Sequence, residues 1–329
     1  MTFKQSWEKT DLQIQLPTKS INAMLKMAFP HKEISSYQLI YGGCANLNYK
    51  VQVKGSDDEV PYLLRIYLRD SDASFREKNL AILLKQTVPI PSIYFIDEYR
   101  HYHFGIAQHI SGITLRDLLL GSELYDLQTL MFDVGVMLAR LQNHRFLKSG
   151  FFNSDLKVIK PVSESDLVAF ATECMQHENA INVLQPNLLD RIRYYLSTSK
   201  HCLPNEKESL LVHGDFDPAN ILVERQNGQW CITGIFDWEF SFSGSPLWDI
   251  ANMLRYAHEM PATFEDCFIH GLKTGYNLPP NWHISINLLN LLSLLDCLVR
   301  SSIKNEPNRC QDIRALIVRI ITQLESYHE

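Results

Sequence analysis

Glycine and proline are scarce, 14 of each in 329 residues, and no compositional period runs through them, which excludes a collagen-like, low-complexity or disordered chain. The seven cysteines (Cys44, Cys174, Cys202, Cys231, Cys267, Cys297, Cys310) are odd in number, scattered and never spaced as C-x-x-C. Free thiols in a reducing compartment are therefore expected, with neither a disulfide framework nor a zinc site. No Lys/Arg-rich run exists and the formal net charge is −6, which argues against a nucleic-acid partner held by phosphate neutralisation. Met1 to Glu8 lacks a basic stretch followed by an apolar one, so no secretory leader is expected and the cytoplasm is the expected compartment. The most apolar tract, Ile286 to Val299, is broken by Asn287, Asn290, Ser293 and Asp296. It reads as an amphipathic or core helix, too short and too polar for a bilayer, and no membrane partner is expected.

What is present is an ordinary globular composition, 46% hydrophobic and 21% charged, at a length above that of most single cores. Short runs rich in Tyr, Val, Ile and Leu, separated by Gly, Pro and Asp, predict strands at 37–41, 49–54, 62–67, 92–97 and 103–108. A helix is expected over 75–85, with its N-cap within Ser71-Asp72-Ala73-Ser74. From Thr114 the pattern turns helical: Leu130, Val134, Met137, Leu138 and Leu141 recur at spacings of three and four. The expected fold is α+β, a small antiparallel-sheet lobe with one helix followed by a larger, mainly helical lobe. Residues 1–110 carry 13 Lys+Arg against 11 Asp+Glu, and residues 111–329 carry 18 against 26. The acidic second part either favours a cationic substrate or is a solvated surface.

The strongest local signal is Leu210-Leu211-Val212-His213-Gly214-Asp215-Phe216-Asp217-Pro218-Ala219-Asn220-Ile221-Leu222-Val223. Two strand-like apolar runs bracket a tight polar loop that presents His213, Asp215 and Asn220 together. A carboxylate at the mouth of such a loop can take a proton from a substrate hydroxyl, and an amide oxygen five residues later can reach a divalent metal. The run Cys231 to Phe236 predicts a further strand ending in Asp237. That carboxylate completes a Mg²⁺ pattern, because Mg²⁺ prefers a few hard oxygens plus substrate phosphates. Arg65 shares a strand face with Leu63 and Tyr67, and Glu77 shares a helix face with Leu80, Ala81 and Leu84. Each is a charge on a partly apolar face and needs a partner, so the two are expected to pair.

These residues resemble the aminoglycoside phosphotransferases and their kinase-like relatives, among them choline, homoserine and methylthioribose kinases. The H-G-D-x-x-x-x-N loop of that family stands here as His213, Gly214, Asp215 and Asn220, and its metal motif as Asp237-Trp238. The resemblance implies a bilobal protein-kinase-like fold, with a nucleotide-binding lobe at 1–110, helical at its start, and a catalytic and substrate-binding lobe at 111–329. It implies Mg²⁺-dependent transfer of the γ-phosphate of ATP, or GTP, to a hydroxyl of a small molecule. Asp215 would be the base, Asn220 and Asp237 would hold Mg²⁺, and Asp249 would brace the catalytic loop. Gly42, Gly43, Ala45 and Asn46 are similar to the family's G-G-x-x-N phosphate loop. Arg65, with Glu77, stands where kinases have lysine and would meet the phosphates; the Gln108 carbonyl and Ile110 N–H would meet the adenine edge. Asp217 reads as a turn cap before Pro218, and His101 and His103 as surface or strand residues. A nucleotide-binding regulator without transfer, and a metal-dependent hydrolase, are the competing readings. The resemblance fixes neither the acceptor nor the oligomeric state.

Overall fold

The computed structural model describes residues 3–8, 16–40, 46–54 and 61–327. A helix α1 (Thr18–Ala28) leads into strands β1 (Ile34–Ile40), β2 (Leu47–Val53) and β3 (Tyr62–Tyr67), helix α2 (Ala73–Leu84), and strands β4 (Ile93–Tyr99) and β5 (Tyr102–Gln108). The five strands form one antiparallel sheet in the order β1-β2-β3-β5-β4. Alternation along β2, with Leu47, Tyr49, Val51 and Val53 buried, turns one face onto Met24 and Leu25 of α1. Element order and type match the pattern of short apolar runs, with ends shifted by at most three residues and β3 at the expected bounds. The N-cap of α2 is Asp72, within the expected stretch, but it is not a side-chain cap. Asp72 makes no side-chain cap bond and lies in helical conformation, while the Asp70 carboxylate takes both the Asp72 N–H and the Arg76 guanidinium.

After β5 the chain crosses to β6 (Ile113–Thr114), which adds to strands β10 (Ile221–Gln226) and β11 (Gln229–Ile235) in the order β11-β10-β6. Thr114 caps α3 (Leu115–Leu120) and Asp126 caps α4 (Leu127–Leu141). The periodic residues of α4 line the core, except that Met137 sits at its margin. Helix α8 (Thr263–Leu272) lies against α4 at backbone contact. A Cβ on Gly135 would fall 2.0 Å from the Phe268 carbonyl oxygen, and one on Gly271 the same distance from that of Phe132. Only glycine at both positions permits that approach.

Strands β7 (Gly150–Phe152), β8 (Val158–Pro161), β9 (Leu210–Val212) and β12 (Phe242–Gly244) form a second small sheet, β8-β7-β12-β9. The remaining helices are α5 (Glu164–Gln176), α6 (Glu178–Thr198, kinked at Gln185 before Pro186), α7 (Leu247–Leu254), α9 (Trp282–Val299) and α10 (Pro307–Ser326). Helix α9 corrects one expectation. At 18 residues and mean hydropathy 1.4 it is long and apolar enough to cross a membrane, yet most of it is buried, packed against α7 and α10.

Candidate active site

The short strand β9, buried throughout, delivers His213 to the start of the polar loop 213–220 with its ring fully enclosed. His213 Nδ1 accepts the Asp215 N–H at 3.2 Å and Nε2 lies 3.1 Å from the Phe236 carbonyl. Those two bonds fix the neutral ring with its proton on Nε2, and burial lowers its pKa to about 4. Gly214 follows at φ +86°, where a Cβ would lie 2.4 Å from the Phe240 carbonyl oxygen. Asp249, on α7 and fully buried, accepts the His213 and Gly214 N–H groups on its two oxygens at 2.8 and 2.9 Å. Asn252, one turn further, donates to the Gly214 carbonyl at 3.1 Å and is itself held by Arg255.

Asn220 bends back onto the loop. Its Nδ2 donates to Asp215 Oδ2 at 2.8 Å and to the Asp215 carbonyl at 2.9 Å, which turns the amide oxygen away from the Asp215 carboxylate. Asp217 caps the turn at 218–220 through the Ala219 N–H at 2.9 Å and also pairs with Lys4 at 2.9 Å. Burial raises the pKa of Asp215, and Asp217 and Asp237 add to that while Lys4 opposes it.

Asp237 leaves β11 in the left-handed conformation at φ +71°, a strained position of the kind that concentrates at functional sites. Arg65, on the facing strand β3, donates to Asp237 Oδ1 at 2.5 Å, and the same nitrogen lies 3.2 Å from Glu77 and 3.8 Å from Glu239. Glu77 also accepts the Tyr67 hydroxyl at 2.7 Å, and burial pushes its carboxyl up to about 7. Glu239 accepts the Asn46 amide at 2.7 Å, and its backbone carbonyl accepts Arg76 of α2 at 2.7 Å. Burial, then the Asp237 charge, raises the Glu239 pKa.

The structure thus brings Asp215 and Asn220 together on one loop, and Asn46, Arg65, Glu77 and Asp237 together around Glu239. Gln108 ends β5, where its backbone N–H donates to the Ser92 carbonyl at 2.8 Å; Ile110 follows in the crossing to β6 and lies over Gly234 of β11. Gly42, Gly43 and Ala45 lie outside the described residues. Sequence reasoning missed Glu239, Arg76 and Lys4. The first carried a readable signal, an acid two residues beyond the metal-pattern Asp; Arg76 and Lys4 gave none, because their partners lie 163 and 213 residues away.

The residues present fit a divalent cation that arrives with phosphates. One guanidinium faces three carboxylates, so negative charge is in excess, and the buried Glu239 Oε1 has no hydrogen-bond partner. Among the described residues no set of three or more His, Cys, Asp or Glu is arranged to hold a metal alone. An amide oxygen such as that of Asn220 and a carboxylate such as that of Asp237 are the kind of hard oxygens that would suit Mg²⁺ alongside substrate phosphates.

A loop carboxylate held by its own asparagine, beside a carboxylate cluster under a separate antiparallel sheet, sits in a two-lobed, kinase-like fold. The family model described as "phosphotransferase enzyme family" (APH) matches residues 36–283, and the chain belongs to that family. A sequence search of curated proteins returns no match. Among solved structures the chain is similar to a thermostable mutant of aminoglycoside phosphotransferase APH(4)-Ia in ternary complex with ADP and hygromycin B. That match has 18% identity and TM-score 0.69, covering 92% of this chain and 98% of the other. It is similar also to Plasmodium vivax ethanolamine kinase, with 16% identity, TM-score 0.60 and coverage of 95% and 90%. The gentamicin complex of APH(2'')-IIa matches with 17% identity, TM-score 0.55 and coverage of 94% and 97%.

Proposed function

We propose that this phosphotransferase moves the γ-phosphate of ATP to a hydroxyl of a small molecule, with Mg²⁺ held by Asn220 and Asp237. The observation that carries the reading is Asp215 with one oxygen fixed by Asn220, which leaves Oδ1 to take the proton of an acceptor hydroxyl. When bound, Mg²⁺ neutralises charge on the β- and γ-phosphates. The neutral His213 and the two-pronged Asp249 brace hold the loop in place, so that positioning supplies much of the rate. Arg65 presents a guanidinium whose fork suits a phosphate, at the cost of loosening its hold on Asp237. Adenine use is supported by the ADP and AMP-PNP complexes among the similar structures. Hygromycin B, gentamicin and ethanolamine, named with the neighbours, all carry both hydroxyl and amine groups. Together with the acidic second lobe they support a cationic hydroxyl acceptor of the aminoglycoside or amino-alcohol class.

ADP release from Mg·ATP, measured across aminoglycosides, amino alcohols, hydroxy amino acids and sugars with Asp215→Asn as the blank, tests this. Stimulation by one acceptor above the blank is expected; a flat panel contradicts transfer to these classes. One observation favours a second reading. The Arg65–Asp237 pair occupies the metal acid, which suits a nucleotide-binding regulator that performs no transfer. That reading predicts thermal stabilisation by Mg·ATP with no acceptor-dependent ADP release.

A further inference from the structure

Residues 3–8 lie outside the span matched to the family, yet each anchor in them is tied to the catalytic lobe. Phe3 is 2% exposed and its ring lies 5.3 Å from that of Tyr256. Trp7 Nε1 donates at 2.8 Å to Asp312, which also takes the Tyr256 hydroxyl at 2.6 Å. The Trp7 ring packs under the Arg309 guanidinium, 4.8 Å from the ring centre, and the Glu8 carboxylate accepts the Asn308 and Arg309 N–H groups at the start of α10. Between those anchors the backbone of Phe3 and Lys4 is left-handed, at φ +32° and +66°. Non-glycine residues hold that conformation only when their surroundings over-determine it. The product of this bracing is one contact: the Lys4 ammonium on Asp217 Oδ2, whose side chain is 4% exposed.

The pairing answers an electrostatic problem in the loop. Asp217 is needed where it is, because its carboxylate and carbonyl hold the turn that places Asn220. It thereby puts a second buried negative charge two residues from Asp215, with Asp237 nearby just beyond β11. Among the described residues Lys4 is the cation ion-paired to this loop; the neighbouring Arg255 is engaged by the amide oxygens of Asn252 and Asn290. The Arg255 charge also acts on Asp215 and Asp217, so Lys4 is one of two cations that offset the loop's charge, and without it an anionic substrate end would meet stronger repulsion.

Resting on the phosphotransfer reading, we propose that Lys4 is a positioning residue of the active site: the amino-terminal strap delivers its ammonium to neutralise Asp217, so that the γ-phosphate can approach Asp215. The γ-phosphate is the group concerned, since it must meet the acceptor at the base, while the rest of the nucleotide lies farther from the loop. Lys4→Met keeps an unbranched stem beside Trp7 and removes the charge. Lys4→Arg keeps the charge, and Lys4→Met with Asp217→Asn removes both charges while an asparagine retains the cap.

The test is the affinity of the full chain for Mg·AMP-PNP and for Mg·ADP by calorimetry, with the thermal midpoint of each variant recorded. Lys4→Met is expected to bind AMP-PNP about tenfold more weakly, the scale of one lost charge contact in a partly screened site, and ADP within about twofold. Lys4→Arg and the double variant are expected to recover AMP-PNP affinity to within about threefold of the unaltered protein. Unchanged AMP-PNP affinity in Lys4→Met overturns the proposal. Equal weakening for both nucleotides with a lowered midpoint makes the contact structural only, and tighter binding makes the strap an obstruction; either overturns it as well. If the unaltered protein binds neither nucleotide, it is the phosphotransfer reading that fails, a result distinct from all of these.

Discussion

The two oxygens of Asp249 receive consecutive backbone N–H groups, those of His213 and Gly214, so a fully buried carboxylate on α7 fixes the entrance to the 213–220 loop. Asp249→Asn offers one oxygen where two are needed and leaves a buried N–H without an acceptor. We expect a loss of about 2 to 3 kcal/mol, typical of an orphaned buried donor beside a charged acceptor, measured by urea unfolding. Stability within about 0.5 kcal/mol of the unaltered protein would show that the loop does not depend on this brace.

Arg65 is the shared cation of Glu77, Asp237 and Glu239. Arg65→Met leaves three carboxylates facing one another, two of them deeply buried, and is expected to cost about 3 to 5 kcal/mol. Mg²⁺ should stabilise this variant against urea more than it stabilises the unaltered protein, because it replaces the missing charge. Equal Mg²⁺ effects in both proteins would separate the cluster from the metal.

His213 gives a pH dependence of known sign. Its pKa lies at about 4 in the folded protein against 6.5 in its absence, so the unfolded chain takes up a proton between those values and the folded chain does not. Stability from this ring is present above 6.5 and is lost as pH falls towards 4. His213→Gln cannot take that proton and still presents a donor towards Phe236. Its acid loss of stability should be smaller than that of the unaltered protein by up to about 3 kcal/mol at pH 4. Glu77 and the other buried acids titrate in both proteins and cancel in the difference; parallel profiles would mean that the ring is protonated when folded.

Gly214 and its neighbours show how far the sequence carries. The 213–220 loop was legible because its residues are close in the chain and bracketed by apolar runs, so spacing alone placed Asp215 beside Asn220. The five-stranded sheet with its inserted helix was legible from turn residues and alternation. Strands β6, β7, β8 and β12 were not, because at two to four residues each they are too short to show a repeated alternation and owe their pairing to the tertiary setting. The pairing of Arg65 with Glu77 could be expected from one charge on each of two partly apolar faces. That Asp237 and Glu239 would share the same guanidinium could not, since the partners lie 172 and 174 residues away and meet only in the folded chain. Lys4 is the extreme case, a single lysine in an unremarkable polar segment whose role depends wholly on where Phe3 and Trp7 are anchored.

Asp215→Asn is nearly isosteric and retains an oxygen towards Asn220, so it is expected to fold and to bind Mg·AMP-PNP as the unaltered protein does. Its turnover should fall by at least about a hundredfold, the low end for loss of a general base. Retained turnover in a correctly folded variant would remove Asp215 from the chemistry.

The central claim is that a phosphoryl group passes from ATP to an acceptor hydroxyl at Asp215. It is tested most directly by incubating the protein with Mg·ATP and each amino-alcohol and aminoglycoside acceptor and examining the acceptor itself by mass spectrometry. The account predicts an acceptor heavier by one phosphoryl group with the unaltered protein and none with Asp215→Asn. ATP consumption that yields free phosphate and leaves every acceptor unmodified would contradict it, and would make water the acceptor.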